Sequence, residues 1–318
     1  MSILFTVFTI LLFFSFELGY FKLAEYYNIV DKPNERSSHS EITIRGGGVI
    51  YLFAILLALI MHSEFWMPIL GLFIIGIISF VDDRVTLSGK IRIIFHLAAV
   101  TLLFLFLEIF QISSWWISII LYILVIGVIN AYNFMDGING ITGAYSIVVL
   151  GGLQYVNYEI INFIHADLIW LPILATLVFL FFNFRNRAKC FAGDVGSVTI
   201  AFWIIFLLLK LILLTQNFAY VLFLAVYGID TVLTIIHRLK LKQNIFDAHR
   251  LHFYQILANE QKWPHLIVSA VYAMLQLGII VVVVYVKWSF TSVFFITTVP
   301  LVLIYCLIKP RIIVVTEM

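Results

Sequence analysis

Charged residues are scarce in this sequence. Asp, Glu, Lys and Arg make up 11% of its 318 residues, whereas 63% are hydrophobic. A water-soluble globule of this length would lack the polar surface needed to cover itself, so the composition excludes a soluble protein. We therefore expect an integral membrane protein, and we expect no nucleic-acid partner.

Cysteines and soluble regions are equally scarce. The two cysteines, Cys190 and Cys306, fall in or beside predicted cytoplasmic segments, which predicts reduced thiols and no disulfide bridge. Heptads, low-complexity tracts and convincing internal repeats are absent from the sequence. The longest stretch outside the predicted membrane spans, about 235–265, has room for one or two short helices only. A single integral membrane domain over residues 1–318 is therefore expected.

Long hydrophobic runs dominate what is present. Windows of about 20 apolar residues, the length that crosses a bilayer core, predict an all-α polytopic membrane protein with about eleven transmembrane helices. The first run is interpreted as a helix because it lacks the basic start and cleavage site of a signal peptide. The runs start near Ile3, Gly47, Trp66, Ile91, Trp115, Ile141, Leu168, Ser197, Phe218, Leu266 and Trp288.

The basic residues predict the orientation. With eleven spans, 17 of the 19 Lys and Arg residues fall in alternate loops on one side, and only Lys210 and Lys287 fall on the other. Basic residues accumulate in cytoplasmic loops, so the amino terminus is predicted outside and the carboxyl terminus in the cytoplasm.

Five aspartates lie at or near predicted cytoplasmic ends of hydrophobic helices. Charges at that depth are costly and usually mark a site, although each acid alone can serve simply to solvate a helix end. "FVDDR" places two carboxylates side by side, which requires a cation or a shared proton. "FMDGING" and "FAGDVGS" place an acid beside glycines, which allow close approach of a ligand to the backbone. The five are Asp82, Asp83, Asp136, Asp194 and Asp230.

The ligand chemistry of these acids favours a hard cation. Without matching cysteines or several close histidines, oxygen ligands favour magnesium, with manganese as an alternative, over zinc. Magnesium commonly binds through one or two carboxylates and the phosphates of a substrate. The arginines and lysines interleaved with the acids suit a phosphate-bearing substrate.

Five polar segments resemble the motifs of one enzyme family, in that family's order. They are "DKPNERSSHSEITIRGGG", "DDRVTLSGKIR", "NAYNFMDGING", "NFRNRAKCFAGDVGS" and "HRLHFYQIL". From about Asp31 to Leu257 the chain resembles the polyprenyl-phosphate N-acetylhexosamine-1-phosphate transferases, or glycosyltransferase family 4. It departs at Arg187, where proline is common, and at Tyr254 and Gln255, where the family often has histidines. That last loop is similar to the branch acting on simple UDP-N-acetylhexosamines.

The resemblance implies a reaction. An N-acetylhexosamine 1-phosphate passes from a UDP-sugar to polyprenyl (undecaprenyl) phosphate, giving polyprenyl-diphosphate sugar and UMP as the first step of cell-envelope polysaccharide synthesis. The expected location is the bacterial inner (plasma) membrane, with the active site on its cytoplasmic side. The loops that would form it are 23–46, 82–90, 133–140, 184–196 and 236–265.

The resemblance also implies residue roles. The catalytic candidates are Asp82, Asp83 and Asp194, with magnesium on Asp194 and with Asp136 or Asp82 nearby. Asp83 would orient or deprotonate the lipid phosphate, and a covalent aspartyl intermediate remains the alternative. Phe191 would stack on uracil. The remaining candidates for substrate contact are Asn130, Asn133, Asp136 and Asn183, and for phosphates His39, Arg45, Lys90, Arg92, His249, Arg250 and His252.

Other function classes remain alternatives. A secondary transporter suits eleven spans with charged residues, but transporters place their polar sites near the bilayer midplane, whereas these acids lie at helix ends. A membrane phosphatase or phospholipid-synthesis enzyme would use the same metal chemistry. The sequence leaves open which sugar is transferred and whether the protein forms a homodimer.

Overall fold

The computed structural model describes residues 2–31, 41–244 and 249–313, which are almost entirely helical. His39, a predicted phosphate contact, lies outside the described residues. The α-helices of these ranges are α1 (Ile3–Tyr26), α2 (Ile50–Met61), α3 (Trp66–Val85), α4 (Gly89–Phe106), α5 (Ile109–Ile112), α6 (Trp115–Met135), α7 (Ile141–Glu159), α8 (Asp167–Asn183), α9 (Gly193–Thr215), α10 (Ala225–Lys240), α11 (Phe253–Gln255), α12 (His265–Tyr285) and α13 (Phe290–Ile313).

Short elements complete the chain. Strands β1 (Val30–Asp31) and β2 (Thr43–Ile44) pair antiparallel. The 3-10 turns are Gly47–Val49, Ser63–Phe65 and Phe218–Leu224, and Ile256–Glu260 forms a π-helical turn.

A helix lies at each of the eleven predicted spans. Within the described ranges, eight helices are long and apolar enough to cross a membrane. The segments Gly47–Met61 and Asp167–Asn183 are apolar but shorter, and α7 includes Ser146, Gln154 and Asn157 among its apolar residues. The polytopic all-α architecture is thus confirmed, while the count of eleven and the orientation of the termini stay predictions.

Helix α9 forms the centre of the bundle. Its sequence is apolar all round, as expected of a helix that contacts protein on every side. Phe202, Trp203 and Phe206 are almost completely buried, and α9 packs against α3 and α6. The amino-terminal end of α9 therefore lies where several helix ends meet.

Two loops are joined to each other before α9 begins. Phe191 N donates to Ile44 O at 2.8 Å, and Gly47 N donates to Phe191 O at 2.8 Å. Gly48 then packs on Gly196 so closely that a Cβ on Gly48 would lie 2.0 Å from the Gly196 Cα. The glycines of "RGGG" and "GDVGS" are required because two backbones touch here.

Candidate active site

Asp83 holds the amino-terminal end of α9. Its Oδ1 accepts from Asp194 N at 3.0 Å, and its Oδ2 accepts from Val195 N at 3.0 Å. The first amides of a helix have no partner within the helix and carry the positive end of its dipole, so a carboxylate satisfies both. Gly193 has φ +69°, and a Cβ there would lie 2.6 Å from Asp83 Oδ2. Glycine is therefore needed for this contact.

Arg45 supplies the charge opposite Asp83. Its Nε donates to Asp83 Oδ1 at 2.8 Å, and its carbonyl oxygen accepts from Tyr20 Oη at 2.6 Å. The Asp83 side chain is 0% exposed, whereas that of Arg45 is 38% exposed. The guanidinium thus neutralises a buried carboxylate and stays accessible to an anion.

Asp82 has different partners from its neighbour. Its Oδ1 accepts from Leu87 N at 2.5 Å, and its Oδ2 lies 3.3 Å from Arg92 Nη1. The two adjacent acids therefore share neither a proton nor one cation, because each has its own arginine. Asp82 secures the turn between α3 and α4, and Lys90 beside this turn is exposed.

Asp136 and Asp194 differ from Asp82 and Asp83 in their partners. In the ranges that the structure describes, no Lys or Arg forms an ion pair with either carboxylate. Asn133 contacts the Asp194 carboxylate and donates through Nδ2 to Ser197 Oγ at 3.2 Å. Burial, together with the nearby carboxylates of Asp194 and Asp83, raises the pKa of Asp136 from its ordinary 3.8 to about 8.

The donor set fits magnesium in part. Among the described residues, Asp82, Asp136 and Asp194 do not bring their carboxylates within 4.8 Å of one another. A closed cage of three aspartates is therefore not what the fold builds, whereas magnesium needs only one or two carboxylates when phosphates complete its coordination. Asp136 and Asp194 contact the neutral side chains of Thr142 and Asn133. The oxygens of Asp82, in contrast, are occupied by Leu87 N and Arg92.

Two of the predicted asparagines have different surroundings. Asn183 is 5% exposed; its Oδ1 accepts from Gly140 N at 2.7 Å, and its Nδ2 donates to Cys190 O at 2.8 Å. Its amide thus joins two loops. Asn130 is exposed on α6, three residues before Asn133.

The final loop is organised by Asp230, whose role the sequence did not indicate. Asp230 accepts from Phe253 N at 2.9 Å and from Tyr272 Oη at 2.7 Å, and its Oδ1 lies 3.4 Å from His252 Nδ1. His252 is 2% exposed, so it positions the loop and offers little surface to a substrate. His249 stacks on His252 with ring centroids 5.0 Å apart, and burial lowers the pKa of His249 to about 4.

A polar cavity of about 650 Å³ lies where four of the predicted loops meet. It contains two predicted contacts, Phe191 and Arg250, and adds Trp263, Arg187 and Lys262, which sequence reasoning missed. Only the position of these three in the predicted loops pointed to them. The lining residues are Glu41, Thr43, Asn139, Asn186, Arg187, Ala188, Phe191, Arg250, Ala258, Asn259, Lys262, Trp263, Pro264 and His265.

Comparison with known proteins supports the resemblance carried by the motifs. Residues 65–212 match the model of glycosyl transferase family 4. The chain is 28% identical over 248 residues, covering 72% of this chain and 69% of the relative, to a probable undecaprenyl-phosphate N-acetylglucosaminyl 1-phosphate transferase of Bacillus subtilis (strain 168). It is 28% identical over 272 residues, covering 74% of this chain and 71% of the relative, to an undecaprenyl-phosphate alpha-N-acetylglucosaminyl 1-phosphate transferase of Escherichia coli (strain K12).

Proposed function

We propose that this relative of the glycosyl transferase family 4 enzymes transfers an N-acetylhexosamine 1-phosphate from a UDP-N-acetylhexosamine to polyprenyl phosphate and releases UMP. One observation carries the proposal: Asp83, Asp136, Asp194 and Arg45 come together at the ends of membrane-length helices. A lipid substrate keeps its chain among such helices while its phosphate reaches their polar ends. Carboxylates and a guanidinium are the groups that diphosphate chemistry needs there.

The polar cavity supports the nucleotide-sugar half of the proposal. Its volume of about 650 Å³ is within the usual range for small-molecule sites. The cavity is lined by more basic than acidic side chains, which favours an anionic ligand: the basic ones are Arg187, Arg250 and Lys262, and the acidic one is Glu41. Phe191 and Trp263 are the aromatic residues among its lining, and stacking on a base is a common use of such rings.

The residues favour direct transfer over a covalent aspartyl intermediate. A phosphate monoester with a second pKa near 6 is mostly dianionic at neutral pH and needs no strong base. An oxygen of the polyprenyl phosphate would attack the β-phosphorus of the UDP-sugar. The bond from that phosphorus to the oxygen between the two phosphates would break, and UMP would leave with that oxygen. Both Asp83 oxygens already accept hydrogen bonds, so Asp83 acts by positioning Arg45 and the start of α9.

Magnesium is part of the proposal. Asp194 and Asp136 would hold it, and when bound it would neutralise the diphosphate oxygens and the leaving UMP. Arg45 would contact a phosphate through its exposed guanidinium. Asn133 would fix the Asp194 carboxylate toward the substrate.

The test is direct. Purified protein is incubated with undecaprenyl phosphate, Mg²⁺ and a panel of UDP-sugars while UMP release is measured. We expect release with at least one UDP-N-acetylhexosamine, dependence on the lipid, and loss of release when Mg²⁺ is chelated. Absence of UMP from every donor would overturn the proposal. A cytoplasmic active site in a bacterial inner membrane, and a first step in envelope polysaccharide synthesis, follow only if this reaction is found.

A further inference from the structure

A second cluster of polar side chains lies at the other end of α3 from Asp83. His62 ends α2, Glu64 follows in the 3-10 turn, and His165 and Asp167 lie where the chain enters α8. The 20 residues of α3 separate the two clusters by about 30 Å. None of the four residues has a role in the proposed transferase reaction.

The donor atoms of this second cluster converge. His62 Nδ1 lies 3.4 Å from Glu64 Oε1, and His165 Nε2 lies 3.5 Å from the same oxygen. Each of these three residues offers a donor atom within 4.8 Å of the other two. The imidazole rings of His62 and His165 stack with centroids 4.6 Å apart.

Burial of His62 adds an independent observation. His62 is only 9% exposed, and its Nε2 has no hydrogen-bond partner among the described residues. That nitrogen lies 3.4 Å from Asp167 Oδ2. A histidine that binds a metal through one nitrogen commonly presents the other to a carboxylate, which orients the ring. In His62, Nε2 faces the Asp167 carboxylate and Nδ1 faces Glu64, so Nδ1 is the nitrogen that can bind a metal.

We propose that His62, Glu64 and His165 bind one zinc ion, with Asp167 orienting His62. In a tetrahedral zinc site with metal–nitrogen distances near 2.0 Å, donor atoms lie about 3.3 Å apart. The separations of 3.4 and 3.5 Å match that spacing. Imidazole nitrogens favour zinc over magnesium, so this cluster differs chemically from the oxygen-only cluster at Asp194.

Bound zinc would join two connections of the fold. Glu64 belongs to the turn between α2 and α3, and His165 belongs to the connection between α7 and α8. The side chains of Glu64 and His165 are 54% and 61% exposed, so a metal can enter from solvent. The ion would connect two segments that are distant in sequence.

The test measures zinc binding to the full-length protein in lipid nanodiscs, purified through a tag without histidine and freed of metal with a chelator. Calorimetry with Zn²⁺ is carried out in excess Mg²⁺, which occupies oxygen-only sites. We expect one saturable zinc per chain and a higher thermal unfolding temperature with zinc. His165→Ala and Glu64→Gln should each weaken zinc affinity at least about 10-fold, and Asp167→Asn about 10-fold.

Controls separate this site from other acids and histidines. Glu108→Gln alters an exposed acid outside the cluster, and His237→Ala removes a histidine of α10; both should keep wild-type zinc affinity. His165→Ala should leave UMP release unchanged, since it is far from the proposed reaction. Lack of saturable zinc binding, or binding unchanged by both His165→Ala and Glu64→Gln, would overturn the proposal and leave an ion-pair cluster. The zinc result stands whether or not UMP is released.

Discussion

The two ends of α3 hold polar clusters that are built in different ways. At the carboxyl end, Asp83 is fully buried and bonded to Arg45 and to the amides that begin α9. At the amino end, Glu64 and His165 are more than half exposed, and they approach each other from two short connections. A buried charge persists only where fixed partners surround it, whereas exposed groups can rely on water. Substitutions at the aspartate end should therefore have larger effects.

The largest expected effect is that of Asp194→Asn. Removing a charge from the acid proposed to hold magnesium should lower UMP release by a factor on the order of 10³, as for loss of a main electrostatic contact in other enzymes. Glu64→Gln, the matched charge removal at the other end of α3, should leave UMP release unchanged. Equal loss in both variants would show that the comparison between the ends is wrong.

Asp83→Asn should have the second-largest effect, because it affects both the stability of the fold and turnover. The amide cannot accept from both α9 amides and Arg45 in the same way, so we expect the free energy of unfolding to fall by about 2 kcal/mol. Turnover should fall steeply while UDP-sugar binding survives. Thermal unfolding and UMP release measure the two effects.

Asp167→Asn is the control for that change, with zinc absent. It should alter the unfolding temperature less than Asp83→Asn, since the Asp167 side chain is 27% exposed. Unchanged turnover in Asp83→Asn would remove this residue from the site.

Asn133→Ala should have a smaller effect, confined to substrate binding. Losing the amide that contacts Asp194 and Ser197 is expected to weaken UDP-sugar affinity about 10-fold, the equivalent of one hydrogen bond to a charged group. Calorimetric titration with the UDP-sugar measures the change, with circular dichroism to check folding. Gln111→Ala, an exposed amide on α5, is the control, and equal affinity in both variants would contradict the assignment of Asn133.

The smallest effect concerns pH. The pKa of His249 is lowered to about 4 from its ordinary 6.5, mainly by burial, so the unfolded chain binds a proton that the folded chain does not. This difference in proton binding leaves the free energy of unfolding at its full value above pH 6.5 and lowers it as the pH falls toward 4. His249→Gln should therefore reduce the decline of the unfolding temperature between pH 7 and pH 5. An identical decline in wild type and His249→Gln would contradict the role of His249.

Local sequence patterns were sufficient to predict the helices and to place the candidate aspartates at helix ends. Apolar runs of about 20 residues predict membrane helices because each backbone group must find its partner within the segment. The glycines beside Asp194 have a structural reason, since Gly196 packs against Gly48 and Gly193 packs against the Asp83 carboxylate.

The sequence did not predict which atoms each polar side chain contacts. Asp82 and Asp83 are neighbours, yet one secures its own loop and the other caps α9, 111 residues away. Asn183 looked like a substrate ligand, but its amide joins two backbone segments. Spacing along the chain does not say which atoms a polar side chain reaches when several helix ends are within range.

The sequence by itself determined that this chain is helical, suited to a membrane, and acidic at one set of helix ends. These properties depend on hydrophobicity and on local backbone preferences. Only the tertiary structure decided which aspartates are paired with an arginine, and only it brought His62 to His165. Such pairings depend on packing between helices that are distant in sequence, and local composition does not encode that packing.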